Sequence, residues 1–268
     1  MGARAVLRYV LRETRPARRR ASWWDLTEIA LVAAGFLAYF LVRGAVVDHA
    51  AVALANARAI VDFQAALGLW FEPRIQAASL EVHAFIRAMN FVYFWLDFPL
   101  IIGIGLVLFW WRRAYYTLLR DSLLISGAMA LVFYYTYPVA PPRYLAEWGF
   151  VDTLARFDNL SYQAQSMRPF VNPFAAVPSL HVGWAALVAA TLGRATRNVV
   201  VRTAGVGLVV VQGVAVVVTG NHFFFDAIVG LGVCAVAWVV AVWLQDSGYR
   251  SIRAWLAKQE RSLARAEG

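Results

Sequence analysis

The sequence Thr219-Gly220-Asn221-His222-Phe223-Phe224-Phe225-Asp226 opens the last long apolar segment of the chain, which continues to about Leu244. His222 and Asp226 are four residues apart, so a helix would place both side chains on one face. The carboxylate could then accept a hydrogen bond from one ring nitrogen and leave the other nitrogen available for chemistry. The same spacing at a helix start also suits a cap and its neighbour, so this motif alone leaves both roles open.

A second motif of this kind lies upstream. The sequence Pro178-Ser179-Leu180-His181 also opens an apolar segment. The chain has four histidines, and His181 and His222 are the two that stand near predicted membrane ends beside polar, turn-forming residues. His49 and His83 have neither an acidic residue nor a turn motif at a suitable spacing, so we interpret them as interfacial. His181 and His222 are therefore the candidate reactive residues.

The composition is typical of a polytopic membrane protein. Hydrophobic residues make up 61% of the chain and charged residues 15%, whereas soluble proteins have about 25% charged residues. The net charge of +9 could indicate a nucleic-acid partner, but the basic residues, nearly all arginine, stand in short clusters at the ends of apolar runs. That distribution follows the positive-inside rule, so we expect a lipid bilayer and no nucleic acid. The single cysteine, Cys234, excludes a disulfide framework.

We predict an all-α membrane protein, a six-transmembrane-helix bundle with an interfacial helical segment after the first span. The predicted spans are 26–47, 84–111, 118–137, 179–192, 204–219 and 223–244. The segment 48–81 mixes charged residues into apolar positions, and its Trp-Phe-Glu-Pro sequence at 70–73 should break the helix. The predicted domain limits are a basic cytoplasmic tail, the catalytic membrane domain and a second basic cytoplasmic tail, at 1–24, 25–245 and 246–268.

The distribution of basic residues predicts the orientation in the membrane. In the six-span arrangement, 18 of the 25 basic residues lie in the two tails, in the two short turns or, for Arg120, at the adjoining start of the third span, and the other 7 lie toward the opposite side. Both termini should therefore face the cytoplasm, in what we expect to be a bacterial plasma membrane. Arg143, His181, His222 and Asp226 then all lie at the extracytoplasmic end.

Two other features suggest function. Asp97 lies within the predicted second span, two residues before Pro99, and a carboxylate at that depth is costly unless it is paired or protonated. It is either a functional residue or a partner for a neighbouring helix at a proline kink. The loop 139–177 is long, and its prolines and aromatic residues predict an ordered lid over the site.

The histidines, the aspartate and the arginine suit phosphoryl transfer. His222, oriented by Asp226, could attack phosphorus and carry it as a phosphohistidine. His181, with an ordinary pKa near ~6.5, could protonate the leaving oxygen and then activate the acceptor. The starts of the fourth and sixth spans would offer N–H groups to the phosphate. The candidate phosphate-binding residues are Arg143, Ser179, Asn221 and Arg168. No metal or other cofactor is expected, because zinc would need a cluster of three or four ligands.

The two histidine motifs resemble the second and third motifs of the type 2 phosphatidic acid phosphatase superfamily. The blocks 177–181 and 222–226 are similar to those of its inositol phosphorylceramide synthase branch, which has Phe-Pro-Ser-Leu-His and a His-Tyr-Phe-x-Asp-like block. The resemblance covers about 25–245. It implies a bundle of six membrane helices, a phosphohistidine mechanism without a metal, and a phosphorylated lipid substrate.

The sequence departs from the phosphatase motifs in a consistent way. The first motif should read Lys-x6-Arg-Pro, and the third should begin with Ser-Arg ahead of the histidine. The residues at the missing positions are Thr136 and Tyr144 around Arg143, Ser161 upstream of Arg168-Pro169, and Ala215 and Val216 ahead of His222. The loss of phosphate-binding cations agrees better with the synthase branch, in which these positions also differ.

Three functions remain open from the sequence. The first is a transferase that moves a phospho-head-group from a lipid to an alcohol acceptor, and the second is a lipid phosphate phosphatase, for which water is the acceptor. The third is a non-enzymatic membrane protein on a degenerate scaffold. The intact set of His181, His222 and Asp226 argues against the third function, and the missing cations favour the first over the second.

Overall fold

A computed structural model describes residues 23–45, 50–158, 172–252 and 254–255. Over these residues the protein is helical and forms no β-strand, apart from one isolated bridge between Val139 and Ala175. The all-α prediction is confirmed for this part of the chain. The helices are α1 (Trp23–Ala45), α2 (Ala50–Ala66), α3 (Glu72–Leu80), α4 (His83–Trp95), α5 (Phe98–Trp111), α6 (Arg113–Thr136), α7 (Thr153–Asp158), α8 (Leu180–Ala195), α9 (Val199–Val218) and α10 (Phe224–Trp243).

Three of the described helices are long and apolar enough to cross a membrane. They are α6, α9, and α10 with its continuation to Ile252 through a π-helical turn at Leu244–Gly248. The pair α4 and α5 would make a fourth crossing, bent by 49°. The count of six spans stays a prediction, and residues 1–22 and 256–268 of the predicted tails lie outside the described part of the chain.

The predicted second span is two helices. α4 ends at Trp95, and α5 begins at Phe98. Pro99 has no backbone N–H, and its ring would clash with the carbonyl four residues earlier, at Trp95, if one helix continued. The break leaves Asp97 between the two helices, where its side chain is 5% exposed.

Helix α8 lies in the centre of the bundle and packs against α6, α9 and α10. Two glycines allow α8 and α10 to approach each other closely. A Cβ atom on Gly230 would stand 2.1 Å from the carbonyl oxygen of Ser179, and one on Gly183 would stand 2.5 Å from the sulfur of Cys234. Because neither backbone can yield that much, the contact requires glycine at both positions. It fixes the start of α8 beside the start of α10.

The segment after the first helix packs over the end of the bundle that contains the histidines. The predicted break at 70–73 is confirmed, because α2 ends at Ala66 and α3 begins at Glu72. Glu72, Gln64 and Gln76 are buried although they are polar. Gln76 accepts from the N–H of Val151 at 2.9 Å and donates to the carbonyl of Val218 at 3.2 Å. The segment therefore ties the loop after α6 to the end of α9.

A network of charged residues lies at the other end of α6, and we call it the Arg120 network. Arg120 of α6 contacts Glu28 of α1 and pairs with Asp121 at 2.8 Å. The hydroxyl of Tyr249 donates to Asp121 at 2.7 Å. Fourteen residues of helix, or about 21 Å, separate Arg120 from Tyr134, which contacts the start of α8.

Candidate active site

Backbone hydrogen bonds bring the two histidine motifs together. The hydroxyl of Tyr134, near the end of α6, donates to the carbonyl of Pro178 at 3.1 Å. The N–H of Ser179 donates to the backbone carbonyl of Asp226 at 3.0 Å. The N–H of Ala176 donates to the carbonyl of Val139 at 3.2 Å. This bond fixes the extended residues before α8 against the residues after α6. His181, in the first turn of α8, then faces His222, with 5.6 Å between the ring centroids.

The ring of His222 has a defined tautomer. Its Nδ1 lies 2.8 Å from the carbonyl oxygen of Ala176 and 3.4 Å from Oδ2 of Asp226. A carbonyl oxygen only accepts hydrogen bonds, so Nδ1 must carry the proton. The lone pair of Nε2 is then available as a nucleophile.

Asp226 has two contacts, and they correspond to both roles that the spacing left open. Its Oδ2 accepts from the N–H of Phe223 at 2.9 Å, which caps α10, and the same oxygen faces His222. The nearest partner of the ring is nevertheless the Ala176 carbonyl. Sequence reasoning missed that acceptor because a backbone oxygen has no residue-type signal. The other oxygen of Asp226, Oδ1, is buried and has no hydrogen-bond partner among the described residues.

The environment of His222 keeps the ring neutral. Burial lowers the pKa of His222 to about 3, and the positive charge of Arg143 acts in the same direction. The hydrogen bond to Ala176 opposes this shift. At neutral pH the ring is therefore in the form that a nucleophile requires.

His181 lies between an aromatic ring and an acid. Tyr93 of α4 stacks on the His181 ring, with 4.2 Å between centroids and 18° between planes. Nε2 of His181 lies 3.6 Å from Oδ2 of Asp97. The sequence left Asp97 open between a functional and a packing role, and the structure places it beside a candidate catalytic residue.

Arg143 and Asn221 lie together next to His222. A guanidinium nitrogen of Arg143 donates to the side-chain oxygen of Asn221, and its backbone N–H donates to Gly220 at 2.9 Å. Gly220 has φ of 70°, and a Cβ atom there would stand 2.7 Å from the side-chain nitrogen of Gln76. Both the conformation and the contact require glycine, so the turn before His222 positions Arg143.

The start of α10 does not offer its N–H groups to a ligand, and that expectation from the sequence is wrong. The N–H of Phe224 donates to Glu72 at 3.0 Å, and the N–H of Phe225 donates to Gln64 at 3.1 Å. Asp226 already accepts from the first N–H, as described above. The carboxylate of Glu72 would also repel an anion at this position. Long-range caps of this kind cannot be identified from local sequence.

The start of α8 is different. Ser179 is fully buried, and its hydroxyl oxygen has no hydrogen-bond partner among the described residues. The first N–H groups of any helix lack partners within the helix, so this end can receive an anion. Arg168, the fourth predicted phosphate-binding residue, lies in 159–171, outside the described residues. No three His, Cys, Asp or Glu residues in the described part of the chain are grouped to hold a metal ion.

The chain belongs to the PAP2 superfamily, whose pattern matches residues 58–240. A curated relative from Bacteroides thetaiotaomicron, named phosphoinositol dihydroceramide synthase, is 28% identical over 165 aligned residues. That match covers 54% of this chain and 51% of the relative, so the chain spans about half of the relative's length. No solved structure matches the chain. These findings confirm the family and support the branch that the motifs resemble, and with the apolar helices they indicate an integral membrane protein.

Proposed function

We propose that this protein is a six-span membrane phosphotransferase that moves a phospho-head-group from a phosphorylated lipid to an alcohol acceptor. His222 would carry the group as a phosphohistidine. The observation that carries the proposal is the hydrogen bond from His222 Nδ1 to Ala176, because it leaves Nε2 free opposite a second histidine. Membership of the PAP2 superfamily and the name of the curated relative support the reaction class.

In the first half of the reaction, Nε2 of His222 attacks phosphorus. A P–N bond forms as the bond between phosphorus and the lipid oxygen breaks. His181, protonated on both ring nitrogens at the start, gives one proton to that oxygen, so the lipid leaves as an alcohol and His181 becomes neutral. The Ala176 carbonyl and Asp226 stabilise the positive ring that results.

In the second half, the acceptor oxygen attacks the phosphohistidine. The P–N bond breaks, and its electron pair returns to Nε2 of His222. The proton of the acceptor passes to the neutral His181, which restores the starting state of both histidines. An alcohol competes with water only if a pocket positions the alcohol and excludes water.

The phosphate would lie between the start of α8 and Arg143. Ser179 supplies a buried hydroxyl with no hydrogen-bond partner in the described part of the chain, and Arg143 supplies a cation beside Asn221. The charge and the hydroxyl both favour the phosphorus-bound oxygens as negative charge develops. Ser179, Asn221 and Arg143 are thus the described members of the proposed phosphate site, and Arg168 is proposed from the sequence alone.

The loop after α6 is suited to exclude water. Trp148 and Phe150 of this loop pack edge-on against Trp70, with centroids 5.6 and 5.8 Å apart. Trp70 also contacts Phe223, the residue after the proposed nucleophile. This aromatic cluster closes one side of the histidine site, as a transferase requires.

An apolar groove is suited to a chain of the lipid substrate. It has a volume of about 360 Å³ and lies between α1, α5 and α6. Its lining includes Phe98, the residue after Asp97, and extends to Phe109 near the end of α5. The groove thus begins close to His181 and continues along the hydrocarbon region.

Product analysis tests the proposal. Purified protein should consume a labelled phospholipid donor faster when the correct alcohol is added, and the label should move into a new phosphodiester. Acid-labile label on the protein should appear without the acceptor and should be absent in His222→Ala. If label is released only as free phosphate whatever alcohol is offered, the protein is a phosphatase. If no labelled protein and no turnover are found, the proposal fails.

We also propose that both termini face the cytoplasm and that the histidines lie at the extracytoplasmic face. Glu81, at the histidine end, and Arg197, between α8 and α9, are exposed. Single cysteines at these positions, in a Cys234→Ala background, should react with an impermeant maleimide from opposite sides. Only the Glu81→Cys protein should react in intact cells. Reaction of the Arg197→Cys protein alone would indicate the opposite orientation in the membrane.

A further inference from the structure

We propose that Asp97 is a positioning residue for His181, which holds Nε2 so that Nδ1 is the nitrogen that exchanges protons with the substrate. This inference rests on the proposed function and adds a residue to it. It also assigns opposite tautomers to the two histidines. His222 carries its proton on Nδ1, and His181, when its ring is neutral, carries its proton on Nε2.

The placement of Asp97 supports this role. It precedes the first turn of α5, where an aspartate would usually cap the helix, yet its side chain makes no capping hydrogen bond. Its Oδ2 instead lies 3.6 Å from Nε2 of His181. That distance exceeds a direct hydrogen bond, and catalytic hydrogen bonds are often long until the substrate binds.

Two contacts from residues near the junction between α4 and α5 fix the orientation of the His181 ring. Stacking on Tyr93 sets the plane of the ring, and Asp97 sets its rotation within that plane. Tyr93 and Asp97 stand on either side of the junction between α4 and α5. The break at Pro99 therefore has a consequence for the site, because an unbroken helix would carry Asp97 to a different direction.

A carboxylate that is 5% exposed inside a membrane bundle needs a partner, and His181 is one. The charge of Arg43 on α1 also acts on Asp97. A purely structural role would therefore be a charge pair between Asp97 and Arg43. The two roles differ in what they predict for the proton of His181.

Nitrogen NMR of protein labelled with ¹⁵N-histidine tests the tautomer without any need for activity. The chain has four histidines, so His181→Gln identifies the His181 signals by difference. In the wild type, we expect His181 protonated on Nε2 and His222 protonated on Nδ1. In Asp97→Leu, which has no acceptor, the Nε2 preference of His181 should be lost, and in Asp97→Asn, whose amide oxygen is a weaker acceptor, it should be reduced, while His222 is unchanged in both. If the neutral His181 ring of the wild type carries its proton on Nδ1, or if neither variant changes its signals, the inference is overturned.

Leaving-group dependence tests the consequence for catalysis. A lipid alkoxide needs a proton as it leaves, whereas a nitrophenolate does not, so loss of an ordered proton donor should matter only for the lipid. With a phospholipid donor, Asp97→Leu should lower kcat by at least about 100-fold, and with a nitrophenyl phosphodiester by less than about tenfold. Asp97→Leu should add no further loss to His181→Ala. Arg43→Gln should affect both substrates equally.

Equal losses for both substrates in Asp97→Leu, or a loss that adds to that of His181→Ala, would overturn the positioning role. If the wild type turns over neither substrate, the proposed function fails, and the NMR experiment still decides whether Asp97 fixes the His181 tautomer. Asp97→Asn keeps the size of the side chain, so it serves if Asp97→Leu does not fold.

Discussion

Buried polar and charged groups lie near both ends of α6, but they are fully paired near one end and only partly paired near the other. In the Arg120 network, Arg120, Asp121 and Tyr249 meet at distances of 2.7 to 2.9 Å, and Glu28 contacts Arg120 as well. At the histidine end, Ser179 Oγ and Asp226 Oδ1 are buried without a hydrogen-bond partner among the described residues. The acid beside His181 stands 3.6 Å away.

The difference separates a structural cluster from a reactive one. Buried polar groups are normally paired, because an unpaired group loses its hydration without compensation. The Arg120 network follows that rule and holds α1, α6 and the end of α10 together. The histidine end departs from it at Ser179 and Asp226, beside the starts of α8 and α10, which is expected where a substrate completes the contacts. The predictions below test this contrast.

The largest effect should follow removal of the proposed nucleophile. His222→Ala should lower turnover by about 10⁴-fold or more, because the covalent intermediate of the proposed mechanism forms on its Nε2. The free energy of unfolding should change little. His83→Ala is the matched control, since His83 is exposed and lies outside the site, and it should keep full activity. Full activity in His222→Ala would contradict the phosphohistidine mechanism.

Removal of the cation from the Arg120 network should mainly lower the free energy of unfolding, whereas removal of His222 mainly lowers turnover. Arg120→Met leaves the carboxylates of Glu28 and Asp121 buried without their cation, which should cost about 3 to 5 kcal/mol of stability. Activity per folded molecule should fall far less than in His222→Ala, because Arg120 lines only the far end of the proposed lipid groove and about 21 Å of helix separates it from the start of α8. Thermal unfolding in detergent and activity of the folded fraction measure the two effects.

The triple variant Glu28→Gln, Arg120→Met and Asp121→Asn is the matched control for that prediction. It removes the unpaired charges together with the cation, so it should be more stable than Arg120→Met alone. If the triple variant is less stable than the single variant, the network contributes more than charge pairing. If Arg120→Met is stable but inactive, the contrast between the two ends is wrong.

Much of this architecture could be predicted from local sequence. The two histidine motifs, the break at 70–73 and most helix limits depend on neighbouring residues, and the structure has them where expected. For the segment around Asp97, the sequence predicts a proline kink within one span, whereas the structure has two separate helices. The caps that Glu72 and Gln64 provide to α10 join residues more than 150 positions apart. The Ala176 acceptor is a backbone atom. Neither local pattern nor residue type identifies such contacts.

An intermediate effect is expected for Asp226→Asn. The amide oxygen can still accept from the N–H of Phe223 and cap α10, but the negative charge beside His222 is lost. Because the Ala176 carbonyl continues to orient the ring, turnover should fall by about 100-fold, which is less than in His222→Ala. Asp226→Ala should in addition lose about 1 kcal/mol of stability through the missing cap. A loss as large as that of His222→Ala would mean that the charge is indispensable.

The smallest effect concerns stability and pH, and it follows from the neutral state of His222. Its folded pKa of about 3 lies below the ordinary value of about 6.5 expected in the unfolded chain. Between these two values the unfolded chain binds a proton at this residue and the folded protein does not, so stability is lost as pH falls below about 6.5. At pH 5.5 this residue should cost about 1 kcal/mol, or about 2 to 4 °C in Tm.

His222→Gln cannot titrate, so its Tm should fall less than that of the wild type between pH 7.5 and pH 5.5. Both proteins retain His181 and every carboxylate, and the difference between their two shifts therefore isolates His222. Thermal unfolding in the same detergent at both pH values measures it. Equal shifts in the two proteins would mean that the ring accepts a proton in the folded state, and the histidine would then be poorly suited to attack phosphorus at neutral pH.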